Sequence, residues 1–306
     1  MRGHKRKFIP DAYEHIFQHG IDYNLIFYSL EDRLVFFTIF SVMAWQYGIC
    51  VLTLALMFNH FHTLLRAVSS KDLALFIGTV TSTYAMAFNR DAGRKGALFE
   101  KAYGSAPKTG DKKVRTSIAY SFNNSVEKLL FTQAEDDRWN FLAYIGNDHP
   151  FSSPIIMARA SRHLKAAIKE VDHHVQDHAY LRYPVIRRLY RELSVEEREQ
   201  LTDYIISQYL PIDKAALLGH YKDYPSMVLA INSNTGSEYD LKEEYKADSD
   251  LAYREMLEIV GQSSFGGNPH SVITAPLKKK KEVADYLRRA TSAKEYQIAR
   301  FLHLRD

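Results

Sequence analysis

The chain contains one cysteine, Cys50, so no disulfide can form within it, and its thiol content does not call for an oxidising compartment. Proline and glycine are scarce, 9 and 14 of 306 residues, which excludes collagen-like and low-complexity chains. The net charge is only +4 at pH 7, too small to argue nucleic-acid binding by itself. Long apolar runs are also missing: the most apolar stretch, Tyr47 to Leu56, is about half of what spans a bilayer. The basic opening Arg2-Gly3-His4-Lys5-Arg6-Lys7 leads into no clean apolar segment with a small-residue cleavage site. A cytoplasmic protein with no membrane partner is expected. Hydrophobic residues at 46% and aromatics at 13% argue against disorder and suffice for one large domain or two ordinary ones.

Patterning gives an order of elements. Tyr13, Ile16 and Phe17, then Leu25, Ile26 and Phe27, flank His19-Gly20-Ile21-Asp22-Tyr23-Asn24, which predicts two strands around a turn. Leu34, Phe37, Phe40 and Met43 recur at helical spacing between Glu31 and Tyr47. Ile49 to Met57 reads as a central strand, with Leu52, Leu54 and Leu56 facing opposite to Val51 and Ala55. Thr63-Leu64-Leu65 continues as extended chain, and Leu73 to Phe88 returns to helical spacing. Residues 90 to 115 read as an exposed basic loop around a short strand near Leu98-Phe99, carrying Arg90, Arg94, Lys95, Lys101, Lys108, Lys112, Lys113 and Arg115. Val114 to Leu130 is the next helix. Ser152-Ser153-Pro154 marks a boundary, giving domains over residues 1–154 and 155–306. Beyond it the pattern is helical over Ala158 to Val171, Val185 to Arg191, Val195 to Tyr209 and Ile212 to His220, and Ser194 with Glu197 is a capping-box signature. Asn232 to Asp240 and Gly261 to Pro269 read as polar turns, Leu241 to Val260 as a helix, and Lys278 to Leu304 as two helical pieces divided at Ala290-Thr291-Ser292.

Two features carry chemistry. His60-Phe61-His62 ends the apolar strand region, so both imidazoles point to one face and Phe61 to the other. Two neutral imidazoles together can bind a divalent cation, although the pair also suits an ordinary polar strand end. Tyr120 lies in the helix after the basic loop, with Asn124 four residues on and Asn123 three. A tyrosine hydroxyl, with an ordinary pKa near ~10, needs a polarised electrophile or a base before it attacks. His173, His174 and His178 sit among Asp172, Gln176 and Asp177 and read as an exposed polar face.

Leu56-Met57-Phe58-Asn59-His60-Phe61-His62-Thr63-Leu64-Leu65 resembles the HUH signature of the REP-associated tyrosine transposases and of the single-strand transposases of small insertion sequences. Glu14 to Gly20 resembles that family's opening strand, Ile26-Phe27 with Glu31-Asp32-Arg33 its first turn and helix start, and Tyr84 to Asn89 with Gly93, Gly96, Leu98 and Phe99 its pre-catalytic segment. Tyr120-Ser121-Phe122-Asn123-Asn124-Ser125-Val126 resembles its tyrosine motif. Phe58 and Ser125 stand where the family usually has proline.

The resemblance covers about residues 8 to 154. It implies an α+β, ferredoxin-like HUH catalytic domain with an antiparallel central sheet, followed here by a mainly helical extension. It further implies that Tyr120 is the nucleophile and that His60, His62 and Asn124 hold Mg²⁺ or Mn²⁺, with Asn123 a competitor for the third position. The implied reaction is transesterification on single-stranded DNA with hairpin or repeat features, giving a 5′-phosphotyrosine and a free 3′-hydroxyl. The eight basic residues above would track the phosphate backbone, and Phe99, Tyr103 and Phe8 are candidates for base stacking. Some relatives pair, so a homodimer is compatible. Ser292 to Leu302 resembles the first part of a helix-turn-helix attached to some members. The alternatives are a DNA-binding descendant that no longer cuts and an unrelated α+β protein.

Overall fold

The computed structural model describes residues 8–233, 250–262 and 268–304. Strand β1 (Tyr13–His19) is followed by helix α1 (Leu30–Gln46), a hairpin of β2 (Cys50–Leu56) and β3 (His60–Arg66), helix α2 (Ser70–Ala92), strand β4 (Gly104–Lys108) and helix α3 (Asp111–Glu127). All strand pairs are antiparallel in the spatial order β2-β3-β1-β4. This α+β architecture, a small antiparallel sheet followed by helices, is broadly consistent with a ferredoxin-like fold.

Local chemistry fixes the helix ends. Ser29 and Asp32 form a capping box at the start of α1: the Asp32 N–H donates to Ser29 Oγ at 3.2 Å and the Ser29 N–H to Asp32 Oδ2 at 3.0 Å. Ser69 caps α2 by accepting the Asp72 N–H at Oγ, without the reciprocal bond, and Gly93 ends that helix at φ 64°, a conformation glycine adopts without a Cβ penalty. The Ser194–Glu197 capping box forms as its sequence predicts.

Side chains alternate along the strands, so His15, Phe17, His19, His60 and His62 share one face of the sheet, and Ile16, Phe61 and Thr63 the other. The Phe61 face packs on the first two helices: Phe61 meets Phe36 of α1 at 5.0 Å between ring centroids, and Phe40 meets Phe76 of α2 at 5.1 Å. The histidine face is covered by α3.

Four features differ from the sequence reading. β2 is an edge strand, not a central one. Its apolar sequence is explained by cover on both faces and by residue 212, since Ile212 bridges to Val51 and the Asp213 N–H donates to Val51 O at 2.8 Å. A register shift between Val51 and Thr53 puts Val51 opposite Leu65 while Ala55 stays opposite His62, so these two lie on opposite faces. Leu25 to Phe27 forms no strand; the Ile26 and Phe27 N–H groups both donate to Phe58 O. The strand placed near Leu98-Phe99 is instead β4, and Phe99 makes only an isolated bridge to Gly20.

The second half is helical: α4 (Ala143–Gly146), α5 (Arg162–Gln176), α6 (Tyr183–Tyr190), α7 (Val195–Tyr209), α8 (Lys214–Leu218), α9 (Tyr224–Asn232), α10 (Leu251–Gln262), α11 (His270–Thr274), α12 (Leu277–Ala290) and α13 (Glu295–Phe301). Most of the turn expected at Asn232 to Asp240, the start of the helix expected from Leu241, and residues 263–267 lie outside the described residues. The core continues across Ser152-Ser153-Pro154: Trp45 of α1 stacks on Tyr209 of α7 at 5.8 Å. Buried polar bonds join the halves as well, with the Tyr183 hydroxyl donating to Asp32 at 2.6 Å and the Tyr28 hydroxyl to Phe301 O at 2.7 Å. No helix among the described residues is long and apolar enough to cross a membrane.

Candidate active site

The histidine face carries a row of four imidazoles. His15 stacks on His62 at 5.3 Å, His62 meets His60 edge-on at 4.8 Å, and His60 meets His19 at 4.8 Å. His60 and His62 open β3 instead of ending the apolar strand before it, and their alternate spacing puts both on one face. His15 and His19 come from β1, two strand periods apart on its inward face. A sequence reading centred on His60 and His62 misses that second pair, although His15-x-Phe17-x-His19 carries the same alternation.

Ring orientations are set by neighbours. His60 Nδ1 lies 2.6 Å from Asn59 Oδ1, and the Asn59 amide donates from Nδ2 to Tyr23 O at 3.1 Å. That second bond fixes the carboxamide, so Oδ1 must accept from the His60 Nδ1–H and the lone pair is on Nε2. His62 Nδ1 lies 3.3 Å from His15 Nε2 and can be held in the same tautomer. Burial, followed by the neighbouring imidazoles, pushes His60 well below the usual histidine range. Burial and then His62 do the same to His15. Both are therefore neutral at pH 7, the form in which imidazole ligates a metal.

Helix α3 lays Tyr120 across this row. Its ring stands edge-on to His62 at 5.4 Å and to His15 at 5.6 Å. Tyr120 is 8% exposed and His62 fully buried, so the phenol lies inside the protein beside the imidazoles.

The two asparagines separate. Asn123 donates from Nδ2 to Ile231 O at 2.5 Å, which ties α3 to α9. Asn124 Oδ1 is buried with no hydrogen-bond partner among the described residues. An orphaned carboxamide oxygen one turn beyond Tyr120 is an acceptor with coordination capacity to spare. Glu127 shares this helix face, and burial lifts its carboxyl to about 7, with Lys128 opposing. Its spacing, seven residues from Tyr120 and three from Asn124, is the signal in the sequence that marks it.

Among the described residues no three His, Cys, Asp or Glu side chains are grouped to hold a metal ion. Two imidazoles and one carboxamide are the donor set here. Imidazoles sharing one ion at nitrogen–metal distances of about 2.1 Å have ring centroids roughly 4.5–5 Å apart, and His60 and His62 are 4.8 Å apart. Two neutral imidazoles and an orphaned carboxamide oxygen are donor types that a divalent cation accepts.

The basic residues are not one patch. Arg94 is used locally, donating to Asn89 Oδ1 at 2.8 Å and Ala97 O at 2.6 Å to close the turn after α2. Lys95 and Lys101 are exposed near the His19 end of β1, where the Glu100 N–H donates to His19 O at 2.9 Å, and Arg90 is exposed on α2. Lys108 is half-buried on β4, opposite Tyr13 at the other end of β1. Lys112, Lys113 and Arg115 are exposed on the first turns of α3, and at about 1.5 Å rise per residue Lys112 is roughly 12 Å along the axis from Tyr120. Arg115 stacks over Tyr221 at 5.1 Å.

Phe99 is buried in the core, while Phe8 and Tyr103 are half-buried against it. His173 pairs with Asp177 at the surface and His174 with Glu170 O, so these histidines do not converge. The segment likened to a helix-turn-helix becomes α13, whose Ile298, Phe301 and Leu302 are buried in the core.

No family model and no curated protein matches the sequence. Among solved structures, a REP-associated tyrosine transposase bound to a REP hairpin shows a weak and partial likeness: 13% identity and a TM-score of 0.39, over 46% of this chain and 82% of that one.

Proposed function

We propose that this chain cuts and rejoins single-stranded DNA through Tyr120. The supporting observation is the edge-on contact of the Tyr120 ring with both His15 and His62, on the sheet face that also carries His60. A phenol held among imidazoles, next to a buried carboxamide oxygen with no described partner, is an arrangement for attack on phosphorus rather than for packing alone.

In the step proposed, the Tyr120 oxygen forms a bond to phosphorus and the bond from phosphorus to the 3′ oxygen breaks. The phenolic proton goes to water and the departing 3′ oxygen takes one up, leaving a 5′-phosphotyrosine and a free 3′-hydroxyl. Because the phosphodiester is exchanged and not hydrolysed, a second 3′-hydroxyl can reverse the step and join strands without a nucleotide cofactor. His60, His62 and Asn124 are the residues that would hold Mg²⁺ or Mn²⁺. When bound, such an ion supplies charge withdrawal from the phosphate oxygens. Asn59 and His15 orient the two imidazoles through their Nδ1 atoms.

One observation favours a second reading, a DNA-binding protein descended from such an enzyme: Tyr120, Asn124, His60 and His62 are all buried. Incubation of the full chain with single-stranded DNA pools and Mn²⁺ separates the two. An enzyme yields a protein–DNA adduct that survives denaturation and disappears in Tyr120→Phe. A binder retains strands only under native conditions, equally in both proteins. Sequencing the trapped strands reads out the target.

A further inference from the structure

The histidine row does not stop at His19. His19 meets the Tyr23 ring at 4.8 Å, and the Arg300 guanidinium lies over Tyr23 at 4.9 Å and over Tyr296 at 4.7 Å. A continuous stack therefore runs from Tyr120 through the imidazoles to the last helix of the extension. At its far end is a cavity of about 120 Å³, lined by His19, His60, Asn59 and Lys128 on one side and by Asp250 and Arg300 on the other. That is about four times the liquid volume of one water molecule, room for a phosphate group.

Among the described residues the Arg300 guanidinium makes no hydrogen bond or ion pair; its neighbours there are the two tyrosine rings. Guanidinium N–H groups lie in one rigid plane, so a guanidinium resting against two aromatic rings keeps its donors for a ligand in the cavity it lines. Lys128, the residue that ends α3 two turns past Tyr120, adds a second positive charge facing His60. Asp250 is the opposing charge. Its carboxyl is lifted by burial to about 6, with Lys128 and Arg300 pulling it back.

We infer that this cavity is an anion site, and that Arg300, delivered by the helical extension, binds a phosphate of the same strand whose neighbouring linkage meets Tyr120. Identification of the anion as a phosphodiester rests on the strand-cleavage reading; the binding of an anion does not. The extension would then be part of the substrate site, and α13 a supplier of a phosphate contact instead of a groove-reading helix.

The test uses the full chain with inorganic phosphate as the first probe and the histidine ring resonances as the readout. Phosphate should shift His19 and His60 in the parent protein and in Arg300→Lys, and should leave them unmoved in Arg300→Met, which keeps the apolar stem over the tyrosines. Unchanged thermal unfolding of Arg300→Met shows that α13 still docks; if it does not, Asp250→Asn, which removes the competing carboxylate, serves instead and must tighten phosphate binding severalfold. No phosphate-dependent shift in the parent, or an equal shift in Arg300→Met with α13 docked, overturns the inference.

Single-stranded oligonucleotide is the second probe, on a Tyr120→Phe background. Arg300→Met should weaken binding about tenfold and flatten the salt dependence by about one counterion. Phosphate binding with no effect of Arg300 on oligonucleotide affinity overturns the phosphodiester assignment. Loss of the Tyr120 adduct reaction in the parent would instead count against the strand-cleavage reading and leave the anion site standing.

Discussion

His270 Nε2 lies 2.9 Å from Asp32 Oδ1, which places a residue of α11 against a carboxylate on the first turn of α1. Its Nδ1 faces Asp91 on α2 at 3.1 Å. Burial alone would lower the imidazole, but the two carboxylates outweigh it and raise it to about 9. The folded value exceeds the ordinary one of about 6.5, so the stabilisation is fully present below pH 6.5 and is lost as pH rises through 9. A rise of that size corresponds to about 3 kcal/mol. Thermal unfolding between pH 6 and 9.5 should show the midpoint falling across that interval, and His270→Gln should lower the midpoint at pH 6 and flatten the fall.

Gly104 lies under the Phe17 ring: a Cβ at that position would meet the ring at 2.1 Å. Gly104→Ala must displace Phe17, which lies between His15 and His19 on β1 and tilts against His62 at 6.1 Å. The expected cost is about 1–3 kcal/mol, measured by denaturant unfolding, with adduct formation slowed more than stability alone accounts for.

Asn123 and Asn124 should respond oppositely. Asn123→Ala breaks the bond to Ile231 O and should destabilise by about 1–3 kcal/mol. Asn124→Ala removes an orphaned buried oxygen, should leave stability within about 1 kcal/mol of the parent, and should abolish adduct formation. Denaturant midpoints and adduct yields of the two variants, measured side by side, decide which asparagine serves the site.

Asn59→Ala frees the His60 ring and breaks the tether to Tyr23. Loss of such an orienting partner typically costs about ten- to a hundredfold in activity or metal affinity. Asn59→Asp keeps the acceptor and should recover part of that loss; titration of Mn²⁺ against adduct yield reads the difference.

The helices were legible because their signals are local. Ser29 with Asp32, Ser194 with Glu197 and the apolar spacing of Leu34, Phe37 and Phe40 act within one turn or along one face. β4 was not legible, since Gly-Ser-Ala-Pro-Lys has no strand composition and is extended only because the edge of β1 pairs with it. Leu25 to Phe27 has that composition and makes no strand, because the Ile26 and Phe27 N–H groups turn to Phe58 O in the β2–β3 connection and the Leu25 N–H to Arg300 O.

At the site, His60, His62, Tyr120 and Asn124 could be named because each pair lies within one element. The facing His15 and His19 depend on β1 pairing with β3. Arg300 reaches the row only through tertiary packing of α13, about 240 residues along the chain from His60, a distance over which no spacing rule operates.

The most direct measurement is mass spectrometric mapping of the full chain after reaction with single-stranded DNA and Mn²⁺. The account predicts a nucleotide attached through phosphate to the peptide carrying Tyr120, absent in Tyr120→Phe. Covalent attachment at another residue, or strands that are bound and shift the His60 and His62 resonances without any covalent product, would contradict it.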